Sequence, residues 1–205
     1  MNLTTLRHTH LSRKIEHWPR YTAITGMALC CNLLSVPAAW AAERNTYQNN
    51  GITFSISVRT PDQIRAFYTG RGFPEAAIRE LESRCLLTVG IQNNRQDIAW
   101  LEPSNWQLIT EHGARVARVS RDELAARWEA LHIPLASRAT FGWTQLPESR
   151  DLYPGETAGG NIVVVPPGEA FTVTVRFATG TDKQGTPVTL QSSPLTCTDL
   201  PEAQK

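Results

Sequence analysis

Strict alternation of apolar and polar residues over positions 51–58 constrains the fold of this chain more than any other feature. The apolar members fall on every second position: Ile52, Phe54, Ile56 and Val58. Because successive side chains of a β-strand point to opposite faces, this pattern predicts a half-buried strand. Positions 171–177 repeat it directly after the turn sequence Pro166-Pro167-Gly168, and they predict a second strand of the same kind.

Five further short apolar segments, separated by turn residues, predict the remaining strands: 85–91, 98–101, 106–110, 162–165 and 187–190. About seven strands with this spacing are typical of an antiparallel, immunoglobulin-like β-sandwich. The fold is therefore predicted to be mainly β, with short helical insertions, in one domain over positions 51–198. Positions 42–50 are predicted to be an N-terminal extension and 199–205 a polar tail.

Helix start signals interrupt the strand pattern at two places. Thr60, followed by Pro61 and by Gln63, forms a capping box with proline at the first helical position, and it predicts a helix near 61–69. A second helix is expected near 74–84. Ser120 and Glu123 form a similar start signal for a helix near 121–132. Positions 135–160 have no clear period and several proline and glycine residues, which predicts a long surface loop.

The first 41 residues have the pattern of an export signal. A basic leader precedes a mostly apolar stretch, and Ala39-Trp40-Ala41 supplies a small-x-small cleavage site, so the mature chain is expected to begin at Ala42. The apolar stretch of roughly 16 residues is shorter than the ~20 that span a bilayer. The expected location is periplasmic or extracellular, with no stable membrane span after the signal is removed.

Charge argues against a nucleic-acid partner. The whole chain has 20 Lys and Arg against 19 Asp and Glu, and the mature part would keep 16 against 18. No basic domain remains to follow a phosphate backbone. The partners that stay open are an envelope protein or a glycan, and the oligomeric state is not predicted.

Two cysteines would remain after the signal is removed, Cys85 and Cys197. In an exported protein, two cysteines most simply form a disulfide. The bond would join the end of the chain to a central strand. A reactive thiol is the alternative, but neither cysteine has a CxxC partner or an evident basic environment.

Few residues suit metal binding or catalysis. The mature part contains His112 and His132 as its histidines and no methionine, and neither a metal nor a cofactor is predicted. Calcium bound by three loop acids remains an open alternative: Glu148, Asp151 and Glu156. No GxSxG turn is present, although His112 beside Gly113 is a conceivable general base.

Aromatic residues are the remaining functional signal. Trp100, Trp106 and Trp128 lie in strand or helix patterns and are expected in the core. Three others lie in the predicted loop and are expected to form a contact surface: Phe141, Trp143 and Tyr153. The sequence thus favours an exported, non-catalytic protein that binds or helps assemble another envelope component. An envelope hydrolase or carbohydrate-active enzyme with dispersed carboxylates is the alternative.

Overall fold

Ten β-strands and four α-helices are present in the computed structural model, which describes residues 45–197. The first five strands are β1 (Asn45–Asn49), β2 (Ile52–Arg59), β3 (Cys85–Asn93), β4 (Ala99–Leu101) and β5 (Gln107–Thr110). The others are β6 (Arg118–Val119), β7 (Arg150–Leu152), β8 (Thr157–Val164), β9 (Phe171–Thr179) and β10 (Gly185–Gln191). The helices are α1 (Pro61–Thr69), α2 (Glu75–Glu82), α3 (Arg121–Ala130) and α4 (Leu135–Thr144). The predicted signal at 1–41 and the tail at 199–205 lie outside the described residues.

The strands form two sheets. The first has the order β1-β2-β3-β8-β6, and the second has the order β10-β9-β4-β7, with β5 also paired to β9. The strand pairs in both sheets are antiparallel. The prediction of a mainly antiparallel β fold is confirmed at this level.

One hydrophobic core lies between the two sheets. The alternating residues of β2, β3 and β9 supply nearly half of its buried residues, and Phe54, Leu87 and Phe177 are fully buried. Trp106, which follows the short turn after β4, contacts both phenylalanine rings edge-on. The period-two pattern in the sequence therefore identifies the side chains that face the core between the two sheets.

A second core lies on the other face of the first sheet, under the helices. Leu86 of β3 and Val163 of β8 are direct partners in the sheet and point away from the first core. Tyr68, Trp128 and Phe141 cover them together with the other apolar residues of the helices. The protein thus has three layers, with the first sheet in the middle.

The N-terminal extension predicted at 42–50 is wrong for residues 45–49. These residues form β1 and pair with β2 along its length. The connecting residues Asn50 and Gly51 both have positive φ, at 41° and 77°, which is the conformation that a two-residue hairpin turn requires. Tyr47 packs against the sandwich core and anchors this otherwise polar edge strand.

The long surface loop predicted at 135–160 is also wrong, because the segment contains α4 and β7. Pro134 gives α4 no side-chain cap, and Leu135 and Trp143 remain exposed. The helix therefore lacks an apolar stripe. Its main anchor is Phe141, whose ring lies 4.5 Å from that of Trp128 between centroids.

The predicted disulfide is present between Cys85 and Cys197. Cys85 begins the central strand β3 and is buried. The bond therefore holds the end of the described chain against the first sheet, and it closes a loop with a sequence separation of 112 residues.

Removing the disulfide is expected to lower the free energy of unfolding. For a loop of this length the chain-entropy account gives about 4–5 kcal/mol, which native strain often reduces to 2–4 kcal/mol. Urea unfolding of the wild-type protein with and without reductant would measure the change, and a double Cys85→Ala/Cys197→Ala variant would provide an independent value. Equal unfolding midpoints in all samples would contradict a structural role for the bond.

Candidate functional site

A cleft of about 680 Å³ lies between α3 and α4 on the helical layer. Helix α3 supplies one wall through Arg121, Leu124 and Trp128. The opposite wall comes from α4, with Arg138, Phe141 and Trp143. The volume is within the range of small-ligand sites, and the mixture of aromatic and charged groups suits an amphipathic partner.

Three arginines hold the cleft in shape. Arg121 Nη2 donates to the Gly142 carbonyl oxygen at 3.0 Å and joins the start of α3 to α4. Arg138 pairs with Glu129 at 3.4 Å, which joins α4 to the end of α3. Arg118, just before α3, forms a two-bond pair with Glu148 at the edge of the cleft. Asp122, at the start of α3, is a further acid that lines the cleft.

Two buried donors in the cleft walls have no acceptor among residues 45–197: Trp128 Nε1 and Arg138 Nε. Trp128 is only 1% exposed. Leaving a buried donor without a partner costs about 1–3 kcal/mol. A third such atom, Trp106 Nε1, lies on the sandwich side of the protein. The cleft walls thus contain buried polar hydrogens that an acceptor would satisfy.

The structure separates the three aromatic residues that the sequence grouped. Trp143 is 84% exposed and lines the cleft. Phe141 also lines the cleft, but it is only 5% exposed and packs in the core under the helices, so its contact with a partner stays a prediction. Tyr153 is 52% exposed, but it follows β7 and does not line the cleft.

Sequence reasoning missed Arg138 and treated Trp128 as a core residue alone. Trp128 is indeed buried, and its lack of a hydrogen-bond partner has no sequence signal. Arg138 lay in the segment predicted as a loop. The cleft exists only when α4 is folded against α3. Because the sequence pattern predicted a loop in place of α4, it could not predict the cleft.

Ion pairs occupy two of the three acids that the sequence left open for calcium. Glu148 is paired with Arg118, and Glu156 lies 3.7 Å from Arg150. Within the described part of the chain, no group of three or more potential metal ligands comes together. The helices of that part are also too short or too polar to cross a membrane.

His112 lies away from the cleft, and its Nδ1 is in contact with the Glu169 carboxylate. The hydrogen bond to Glu169, and then the charge of that carboxylate, raises the pKa of His112 above its ordinary value. The same contact lowers the pKa of Glu169. His112 and Glu169 therefore form an ion pair at the surface, with the His112 side chain 85% exposed.

The chain has no match among protein-family models and none among curated proteins. Two solved structures are similar in part. The yjhA protein from Bacillus subtilis is 12% identical with a TM-score of 0.38, over 63% of this chain and 76% of that one. The ycdA protein from Bacillus subtilis subsp. subtilis strain 168 is 11% identical with a TM-score of 0.38, over 71% and 37%.

Neutralising Glu169 is expected to lower the pKa of His112 toward the ordinary histidine value of about 6.5. Imidazole chemical shifts followed against pH would measure the pKa in the wild type and in Glu169→Gln. Glu111→Gln is the matched control, because Glu111 acts on His112 through its charge alone and only weakly. An equal fall in both variants, or none in Glu169→Gln, would contradict the assigned contact.

Gly160 is expected to tolerate no side chain, because a Cβ there would lie 2.4 Å from the Leu146 nitrogen. This close approach holds the chain just after α4 against β8 of the first sheet, since Leu146 N donates to the Asn161 carbonyl oxygen at 2.9 Å. Gly160→Ala should lower the free energy of unfolding by about 1–3 kcal/mol. Gly142→Ala in α4 is the control: its Cβ would lie 3.4 Å from Arg121 Nη2, the end of a flexible side chain, and the change should be neutral or stabilising by up to about 1 kcal/mol. Chemical denaturation would compare them, and equal stability of the two variants would refute the argument.

Proposed function

We propose that the protein is an exported, non-catalytic binding protein that contacts or helps assemble another envelope component through the cleft between α3 and α4. The observation that carries this proposal is Trp143, an 84% exposed tryptophan at a cleft whose walls contain two unpartnered donors. A large exposed aromatic side chain is a common anchor for a partner, because it buries much area at a small entropy cost.

The cleft favours a partner segment with apolar side chains and hydrogen-bond acceptors. Trp143 and Phe141 supply the apolar wall, and Trp128 Nε1 and Arg138 Nε supply donors. Both donor atoms are shielded from solvent, so binding includes a small opening of the cleft. An envelope protein with an extended segment provides backbone carbonyl groups in this arrangement, and it is the partner that we propose.

The disulfide between Cys85 and Cys197 supports an oxidising compartment. Disulfides persist in the periplasm and outside the cell and are rare in the cytosol. This agrees with export directed by residues 1–41 and with a periplasmic or extracellular location. The finer immunoglobulin-like assignment is part of this proposal, and two antiparallel sheets packed face to face support it.

The carboxylates with displaced pKa values give the hydrolase alternative no support. The pKa is lowered for Glu75 by Arg65, for Asp97 by Arg95 and for Glu169 by His112. A general acid needs a raised pKa, which would come from burial or from a second carboxylate nearby. The carboxylates with lowered pKa values are thus members of structural ion pairs.

A photo-crosslinking amino acid at position 143 tests the proposed function. Benzoylphenylalanine would replace Trp143 in the full chain, and irradiation of intact envelopes should give a discrete protein adduct. Position 135 on the same helix is the matched control, because Leu135 is 72% exposed but does not line the cleft. Arg138→Met in the crosslinking chain should lower the adduct yield about tenfold, since a hydrogen bond to a charged group contributes about 1.5–3 kcal/mol.

Equal adducts at positions 135 and 143 would contradict a specific site in the cleft. The absence of any adduct at 143 would reject a protein partner for this surface. An adduct at 143 that persists unchanged with Arg138→Met would show that the proposed donor has no part in binding.

A further inference from the structure

The outer face of the second sheet carries a polar groove of about 900 Å³. The alternation of β9 places Thr174 and Arg176 on this face, because the residues between and beside them point into the core. Gln107 of β5 and Thr189 of β10 are direct partners of these two residues in the sheet. Arg176, Gln107 and Thr189 are exposed, whereas the helices pack on the first sheet. The groove therefore lies open to solvent on the side of the protein away from the helical layer.

Two arginines give this groove a positive charge. Arg115 is the direct partner of Ile109 of β5, so its side chain lies on the same outer face. In the part of the chain that the structure describes, neither Arg115 nor Arg176 has an ion pair or a side-chain hydrogen bond. The other charged residues of the described lining, Glu102 and Lys183, are paired with each other at 2.6 Å. The positive charges of both arginines are therefore not neutralised within the groove.

Arg115 and Arg176 lie at different points along the groove. Arg115 is in register with Ile109 and, through it, with Thr172 of β9, whereas Arg176 lies further along that strand. A strand spacing of about 4.8 Å and a rise of about 3.4 Å per residue put their α-carbons on the order of 15 Å apart. A ligand that contacts both needs anionic groups at separate points. This favours a chain with a repeated acidic group over one small anion.

The rest of the lining favours a ligand that is rich in hydroxyl groups. It consists mainly of hydroxyl and amide side chains, which both donate and accept hydrogen bonds: Ser104, Asn105, Gln107, Thr174, Gln184 and Thr189. Ala178 and Pro187 are the apolar side chains among the described lining residues. A peptide partner gains most of its affinity from large side chains buried in apolar pockets. The groove therefore suits a sugar chain better than an acidic peptide.

We propose that this groove binds a segment of an acidic polysaccharide, in which carboxylate groups recur along a chain of hydroxyl-bearing sugars. Arg115 and Arg176 each pair with a carboxylate, since the guanidinium group matches carboxylate geometry. Sugar hydroxyl groups between these two points bond to Gln107, Thr174 and Thr189. This site goes beyond the proposed function and does not depend on it, because the cleft between α3 and α4 shares no lining residue with the groove.

Titration with tetragalacturonate, followed by ¹⁵N NMR of the disulfide-bonded protein, tests the site. The backbone amides of Thr174, Arg176 and Thr189 should shift together and reach saturation. The methyl ester of the same tetrasaccharide keeps the sugars without their charge. It should bind about tenfold more weakly or worse, because it lacks the charge-assisted hydrogen bonds.

Three results of this titration would overturn the proposal: equal affinity for the acid and the ester, shifts confined to other residues, or no saturable shift. A blocked tetraglutamate peptide of the same charge tests the other class of partner. Tighter binding of this peptide than of tetragalacturonate at the same amides would reject a polysaccharide ligand.

Variants test the two arginines separately. Arg115→Gln and Arg176→Gln should each weaken tetragalacturonate about tenfold and leave the affinity for the ester unchanged. Arg79→Gln on α2 is the matched control, since Arg79 is 65% exposed and does not line the groove. A preference for the acid that survives both substitutions in one chain, or an equal loss of affinity in Arg79→Gln, would overturn the proposed carboxylate positions.

Discussion

Burial of both faces of the first sheet is the constraint on which the rest of the structure depends. In β3, Leu87 faces the second sheet, whereas the adjacent Leu86 faces the helices. Val163 extends this second apolar face on β8. Full burial of a leucine or valine side chain contributes about 1.5–3 kcal/mol, so a sandwich without its helices would expose a costly surface. The helical layer is therefore a necessary part of the fold, because it buries the second apolar face of the first sheet.

Buried acids fix the helices relative to one another. Glu80 of α2 is 8% exposed and is paired with Arg84 and with Arg127 of α3. Glu82 joins α2 to Arg65 of α1 at 2.6 Å. Because a buried charge without a partner is very costly, each pair favours one arrangement of its helices. These contacts thereby fix the positions of α1, α2 and α3 relative to one another. Because α3 forms one wall of the cleft, that wall is fixed as well.

Segments whose own residues carry a periodic or capping signal could be predicted from the sequence, and segments held by distant contacts could not. The alternation of β2 and the capping box at Thr60 both gave correct elements. In α4, by contrast, the exposed Leu135 and Trp143 break any helical stripe, and burial of Phe141 against other helices supplies the stability. Trp143 was predicted as a contact residue, but the cleft that it lines exists only with α4 in place, so neither the cleft nor its donors in Trp128 and Arg138 could be predicted.

The cleft between α3 and α4 lies in the helical layer, and this has a physical reason. Between the sheets, alternating side chains from two similar surfaces can interdigitate closely, as the edge-on rings of Phe54, Trp106 and Phe177 do. Short helices cover a sheet less evenly, and a cleft remains between α3 and α4. Unpartnered donors such as Trp128 Nε1 lower the stability of the free protein. An acceptor that reaches such a donor removes the cost of the missing hydrogen bond on binding. The unpartnered donor therefore contributes to the affinity for a ligand with an acceptor.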